Sequence, residues 1–262
     1  MIRGFFLGKL KHHARRYAGA ECYVFGDGPS IKWFDLHRFA DKPAICCNMF
    51  PFHREFGLLD VRYCTLTTPL YFAPRYLRNQ DYLIEGQTIS REYRQLVRSL
   101  GSVEFLFHLS NYPFIRGANV NFAFRRLPRR HHGVEPLLNR FRVFSGAFYS
   151  TLALAYFLGF ARVYLIGFDG WTIQPARAAH WYEFGEGPLF EPTNLATDFL
   201  AAATQEMEIS TISVEGESRN VRNIPYRMHT GHAPKYRENH ELLEPRHLEV
   251  LATYPRYRIY GD

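Results

Sequence analysis

Four polar groups in this chain combine residue types that can do chemistry. Gly26-Asp27-Gly28-Pro29-Ser30 follows an apolar run, Cys22-Tyr23-Val24-Phe25. Gly26 and Gly28 permit close approach of backbone to a ligand, and Pro29-Ser30 open a helix whose exposed amides aim at whatever sits above the strand end. The pattern is neither the GxGxxG fingerprint nor a P-loop, since no Gly-Lys-Ser/Thr follows; a purely structural tight turn is the competing reading. Asn48 ends a second apolar run, Pro43 to Cys47, and Thr67-Thr68-Pro69 ends a third, from Val61. The fourth group is His180, in the aromatic loop Ala179-His180-Trp181-Tyr182-Glu183-Phe184-Gly185. A neutral imidazole can take a proton near neutral pH. A lone histidine is more often structural, but this one follows the end of a buried strand at Gly167–Asp169, which raises its weight.

The elements that must position these groups are readable from period and punctuation. The three apolar runs predict strands, and if they are parallel their polar ends share one crevice, where open α/β sheets bind ligands. The stretch Val143 to Asp169 organises the rest. Ser145-Gly146 opens a helix running to Phe157, Gly159 stops it, and Arg162 to Gly167 is a buried strand. Arg142 and Arg162 bracket a run without charge, but Ser145, Gly146, Ser150, Thr151 and Gly159 dilute it, so a buried helix is expected rather than a membrane span. Arg91–Leu100 predicts a helix, Val103–Phe107 a strand, Thr193–Met207 a helix, Ile209–Val214 a strand, and Arg237–Thr253 short helix. No repeat, low-complexity tract or clear linker appears.

The chain has 262 residues, 47% of them hydrophobic and 16% aromatic, and a net charge of +7. That length buries a full α/β core, and the charge favours an anionic partner. The Arg- and His-rich region 116–142 lacks any RNA or DNA module pattern, so nucleic acid is not expected. Cys22, Cys46, Cys47 and Cys64 show no metal-ligand spacing and read as reduced buried thiols, implying a cytoplasmic protein. At the N-terminus Phe5, Phe6, Leu7 and Leu10 interleave with Lys9, Lys11, Arg15 and Arg16, as in a helix docked on the domain or lying on an anionic bilayer.

GDGPSI at 26–31, ICCNMF at 45–50, SGAFYSTLALAYFLGFARVYLIGFD at 145–169 and HWYEFG at 180–185 occur in an order and spacing that resembles the bacterial CMP-sialic-acid-dependent sialyltransferases of glycosyltransferase family 42. Kdo transferases and archaeal pterin pyrophosphokinase-like proteins are looser kin. The resemblance covers about 21–70 and 141–215. It implies one Rossmann-like domain over 1–262, with a mostly parallel sheet, helices on both faces, and a lid over about 75–140. It implies a CMP-activated acidic sugar as donor, a glycan or glycolipid acceptor, no metal or other cofactor, and work at the cytoplasmic face of the inner membrane in lipopolysaccharide or capsule synthesis. A homo-oligomer is compatible with it. By motif position, Gly26, Asp27, Gly28 and Ser30 contact phosphate or donor sugar. Asn48 and Thr68 hold the cytidine–phosphate side, Ser145-Gly146 the donor carboxylate or nucleotide, Asp169 belongs to the same donor-binding set, and His180 is the general base. Asp27 stands where the family has Asn, and Trp171 where it has the leaving-group tyrosine; Tyr182 is the nearest stand-in for a second tyrosine. A retaining Kdo-type reaction would instead need Asp169 or Glu183 as nucleophile. A pyrophosphokinase and a non-catalytic binding module are the remaining alternatives.

Overall fold

The computed structural model describes residues 6–7, 9–74, 85–123, 146–192 and 196–252. Its strands are β1 (Phe6–Leu7), β2 (Glu21–Phe25), β3 (Pro43–Cys47), β4 (Asp60–Leu66), β5 (Glu104–His108), β6 (Val120–Ala123), β7 (Arg162–Ile166), β8 (Ile173–Gln174), β9 (Ala176–Arg177), β10 (Leu189–Phe190), β11 (Glu208–Ser213), β12 (Glu217–Ser218) and β13 (Arg222–Pro225). Nine form one sheet in the order β1-β6-β5-β4-β3-β2-β7-β11-β13. All neighbours are parallel except β1, which runs antiparallel to β6. The short pairs β8–β12 and β9–β10 form two antiparallel ribbons outside it. The helices are α1 (Glu85–Ser99), α2 (Ala147–Leu158), α3 (Asp169–Thr172), α4 (Thr197–Ala203), α5 (Tyr226–Thr230), α6 (Asn239–Leu242) and α7 (Pro245–Ala252). The protein is thus α/β, with a mainly parallel Rossmann-like sheet and helices on both faces.

Both faces of the central strands are buried, which is why those strands read as unbroken apolar runs. Cys22, Val24, Ile45, Cys47, Leu106, Val163 and Leu165 face α2 and α4, whose Leu152, Leu154, Leu158 and Leu200 complete an aliphatic layer. Tyr23, Phe25, Cys46, Cys64, Phe105, Phe107 and Ile166 face the other way, into an aromatic layer with Phe34, Phe39, Phe50, Tyr93, Trp181 and Tyr226. α2 ends as its sequence requires. Gly159 adopts φ +86, a left-handed cap that glycine enters without a Cβ penalty. Its last carbonyls are met by the chain before β2: Arg15 N–H donates to Phe157 O (2.9 Å) and Tyr17 N–H to Leu158 O (2.9 Å).

Several expectations change. Within the segment expected to form a lid, α1, β5 and β6 are integral to the fold. Phe105 and Phe107 alternate with Leu106 between the two buried layers, so this segment extends the sheet rather than covering it. The rest of that segment, 75–84 and 124–140, lies outside the described residues. The expected N-terminal helix is instead β1, paired on Phe122 and Ala123, followed by a 3₁₀ turn, Lys9–His13, and Leu10 is buried in the aliphatic layer. The helix expected from Pro29 is a single 3₁₀ turn, Pro29–Trp33. The helix expected over Thr193–Met207 is only the seven residues of α4, with Thr193 outside the described residues. The four cysteines are free and buried. No helix among the described residues is long and apolar enough to cross a membrane.

Candidate functional site

From β2 the chain builds outward in one direction through β3, β4, β5 and β6, then returns to place β7 on β2's other side. The order therefore reverses between β2 and β7, and such a switch point opens a crevice at the C-terminal strand ends. The Gly26–Ser30 turn lies there, but its glycines answer to the protein itself. A Cβ on Gly26 would sit 2.4 Å from Gly167 O, and one on Gly28 would sit 2.3 Å from the Asp169 carboxylate and 2.7 Å from Gly167 O. The turn's amides are likewise engaged: Gly26 N–H donates to Ile166 O (2.7 Å), Gly28 N–H to Gly167 O (2.7 Å) and Ser30 N–H to Asp169 Oδ2 (3.0 Å). The Ser30 amide is therefore met by the Asp169 carboxyl, at the turn where the resemblance implies phosphate or donor sugar. Burial raises the Asp169 carboxyl above the usual carboxylate range, opposed by that amide.

Asp27 points elsewhere, into a polar group that joins three loops. Its Oδ1 accepts from Trp181 Nε1 (3.3 Å) and its Oδ2 from the Met49 amide (3.4 Å), while its backbone oxygen accepts from the Trp181 amide (3.1 Å). Burial drives the carboxyl up to about 6, and the nearby His180 with hydrogen bonds from Met49, Trp181 and the Asn48 side chain pulls it back. Asn48 adopts φ +47, a left-handed turn that asparagine tolerates better than most residues. That geometry lets its backbone N–H donate to Thr65 O (2.9 Å) and its backbone carbonyl accept from the Tyr93 hydroxyl (2.9 Å). Asp27 thus has both Asn48, from the end of β3, and His180 beside it.

The His180 loop is held from below. His180 Nδ1 lies 2.9 Å from Glu183 Oε1, the Glu183 amide donates to His180 O (3.0 Å), and the His180 ring stacks on Tyr182 at 4.9 Å and 8°. Lys32 is wholly buried, and its ammonium donates to Glu183 O, to Gly185 O (2.8 Å) and to Glu238 Oε1 (2.6 Å). Glu238 also accepts from the Gly185 amide (3.1 Å) and Tyr236 (2.8 Å). Its partial burial works against ionisation, but Lys32 with the Asn239, Tyr236 and Gly185 donors outweighs it and lowers the carboxyl to about 2. Asn239 Nδ2 donates to Tyr182 O (3.0 Å). Under Trp181 lies His53, ring centroids 4.9 Å apart, with Nδ1 accepting from the Glu55 amide. Burial, then the Arg237 and Arg54 charges, lower its pKa to about 3 and keep it neutral.

Trp171 does not join this group. It sits on α3 and stacks on Phe148 at 5.3 Å and 0°, with Tyr149 edge-on, in the aliphatic layer; Tyr182 and Trp181 belong to the opposite layer. Its indole packs the start of α2, on the opposite side of the sheet from Tyr182 and Trp181. Thr68 is exposed, with its carbonyl accepting from Asn111 Nδ2 (3.0 Å). Gly146 precedes α2 in extended backbone, and Ser150 Oγ donates to Thr65 Oγ1 (3.4 Å), which fixes this helix start at the same strand ends. Ser145 lies outside the described residues. Among the described residues no three His, Cys, Asp or Glu side chains converge as metal ligands.

Sequence reading missed Lys32, Trp181, His53 and Glu238. Glu238 carried a signal, because Glu238-x-x-Glu241 forms a reciprocal capping box at α6. Comparison with family models, curated proteins and solved structures finds no match.

Proposed function

We propose that the protein is a glycosyltransferase that moves an acidic sugar, sialic acid or Kdo, from its CMP-activated form to a glycan or glycolipid hydroxyl without a metal, with His180 as general base. One observation carries this reading: His180, backed by Glu183 at 2.9 Å, stands beside Asp27 and the end of β3 at the switch point of the sheet. A sugar hydroxyl is a poor nucleophile until its proton is accepted as it attacks. In the proposed step the hydroxyl oxygen bonds the anomeric carbon, its proton passes to the imidazole, and the bond to phosphate breaks with its electron pair leaving on CMP. The first amides of α2 are the best candidates to meet the donor's negative charge, because those of Gly28 and Ser30 already serve Gly167 and Asp169.

A retaining reaction has less support. Asp169 is buried and bonded to the Ser30 amide, and Glu183 is engaged with His180. The decisive experiment is a thermal-shift panel with CMP, UDP, GDP and ATP, with and without magnesium, followed by transfer assays with CMP-sialic acid and CMP-Kdo. The expected result is a rise with CMP alone, and a His180→Ala variant that keeps CMP affinity but loses turnover. Stabilisation by ATP with magnesium, and none by CMP, would overturn the proposal in favour of a pyrophosphokinase.

A further inference from the structure

The His180 loop holds a second carboxylate whose role follows from its contacts. Glu183 is nine-tenths buried, and its Oε1 lies 2.9 Å from His180 Nδ1. A carboxylate is an acceptor only, so a neutral His180 facing it carries its proton on Nδ1, which leaves Nε2 as the basic nitrogen. The pairing is local, three residues apart, but the backbone between them is fixed from outside. The Glu183 amide donates to His180 O, Lys32 grips the carbonyls of Glu183 and Gly185, and Asn239 grips that of Tyr182. Tyr182 stacked on the imidazole restrains its tilt. Among the described residues, the ionisable groups with a contact or charge toward His180 include Glu183 and Tyr182 on its own loop, Asp27 from the β2 turn and, behind the Glu183 carbonyl, Lys32.

We infer that Glu183 is a positioning residue that sets the tautomer of His180 and so determines which ring nitrogen is basic. This rests on the reading of His180 as the base, but its first consequence can be measured without any substrate. Glu183→Gln keeps the shape of the side chain but replaces an acceptor-only group by one that can also donate to Nδ1, which releases the ring proton to shift toward Nε2. Turnover should then fall by about 100-fold or more, within the range that general base catalysis contributes, at unchanged CMP affinity. Glu183→Asp keeps an acceptor and should retain the tautomer.

The test is nitrogen-15 NMR of the imidazoles in the full chain, with the His180 signal identified by its loss in His180→Ala. The expected spectrum shows an Nδ1–H tautomer in wild type and in Glu183→Asp, and a shift toward Nε2–H in Glu183→Gln. An Nε2–H tautomer in wild type overturns the inference. If Glu183→Gln does not fold, the wild-type and Glu183→Asp spectra decide. An Nδ1–H wild type that transfers no sugar from either CMP donor counts against the transferase reading and supports the tautomer assignment.

Discussion

The two faces of the sheet solve the same burial problem with different materials. Under α2 and α4 the layer is aliphatic and its covering elements are regular helices. On the opposite face aromatic rings predominate, 3₁₀ turns such as Pro29–Trp33 and Phe50–Phe52 supply part of the cover, and a lysine and a histidine are buried among them. Regular helices satisfy their own backbone, whereas turns leave carbonyls to be met by side chains. Lys32 meets two of these carbonyls, from Glu183 and Gly185. The site's polar residues sit where the turn-built face reaches the strand ends, so the face that needs side chains to satisfy its backbone also presents His180.

The contrast can be broken most sharply at Lys32. Lys32→Met would leave two carbonyls and the Glu238 carboxylate without their shared donor, and should destabilise by about 4 kcal/mol in urea unfolding. A loss below about 1 kcal/mol would mean that the turn-built face does not depend on it. The Glu238 contribution should also fade with acid: a carboxyl held at about 2 in the folded chain, against an ordinary 4.5, stabilises fully above pH 4.5 and loses that stability as pH falls through about 2. On the helical face, Leu152→Ala should cost about 3 kcal/mol through a cavity, with any CMP-induced thermal shift retained. Loss of that shift would show that the two faces are coupled.

Asp27 gives a smaller effect of opposite sign. Its carboxyl is raised from 3.8 to about 6, so its favourable contribution is complete below pH 3.8 and disappears as pH rises through about 6. The stability of Asp27→Asn relative to wild type should therefore improve from pH 4 to pH 8 by on the order of 2 kcal/mol; a flat difference would contradict the buried, charged assignment. The smallest change is expected from Trp171→Phe. An aromatic replacement in the Phe148 stack should cost under about 1.5 kcal/mol and leave transfer within about threefold. A collapse of turnover would restore the indole to the chemistry.

The helical face was the legible one. Gly159, the apolar run before it and the strand from Arg162 specify α2 and β7 to within a residue or two, because period and capping are local. The convergence of Asp27 and Asn48 was legible too, since consecutive parallel strands end on one side of a sheet. The purpose of the glycine turn was not: Asp169, which takes the Ser30 amide, lies 139 positions away. The packing of Trp171 was hidden as well, because position in a motif does not reveal the short α3 turn that directs its ring onto Phe148. Lys32 was invisible for a statistical reason, because lysine so seldom has its ammonium fully buried. The N-terminal charges suggested a helix, but the open edge of β6 takes Phe6–Leu7 as a strand.

The position of β2 also has a consequence for the growing chain. One edge of this strand finds β3 within about twenty residues, but its other edge waits for β7, with Glu21 opposite Arg162. During synthesis β2, β3 and β4 can associate while the β2 edge stays open, and the loop carrying His180 and the anchor at Glu238 emerge later still. Closure of so long a loop is slow, and an open strand edge invites pairing with other chains. The crevice is therefore assembled late, and crowding during translation threatens this seam while the β2 edge stays open.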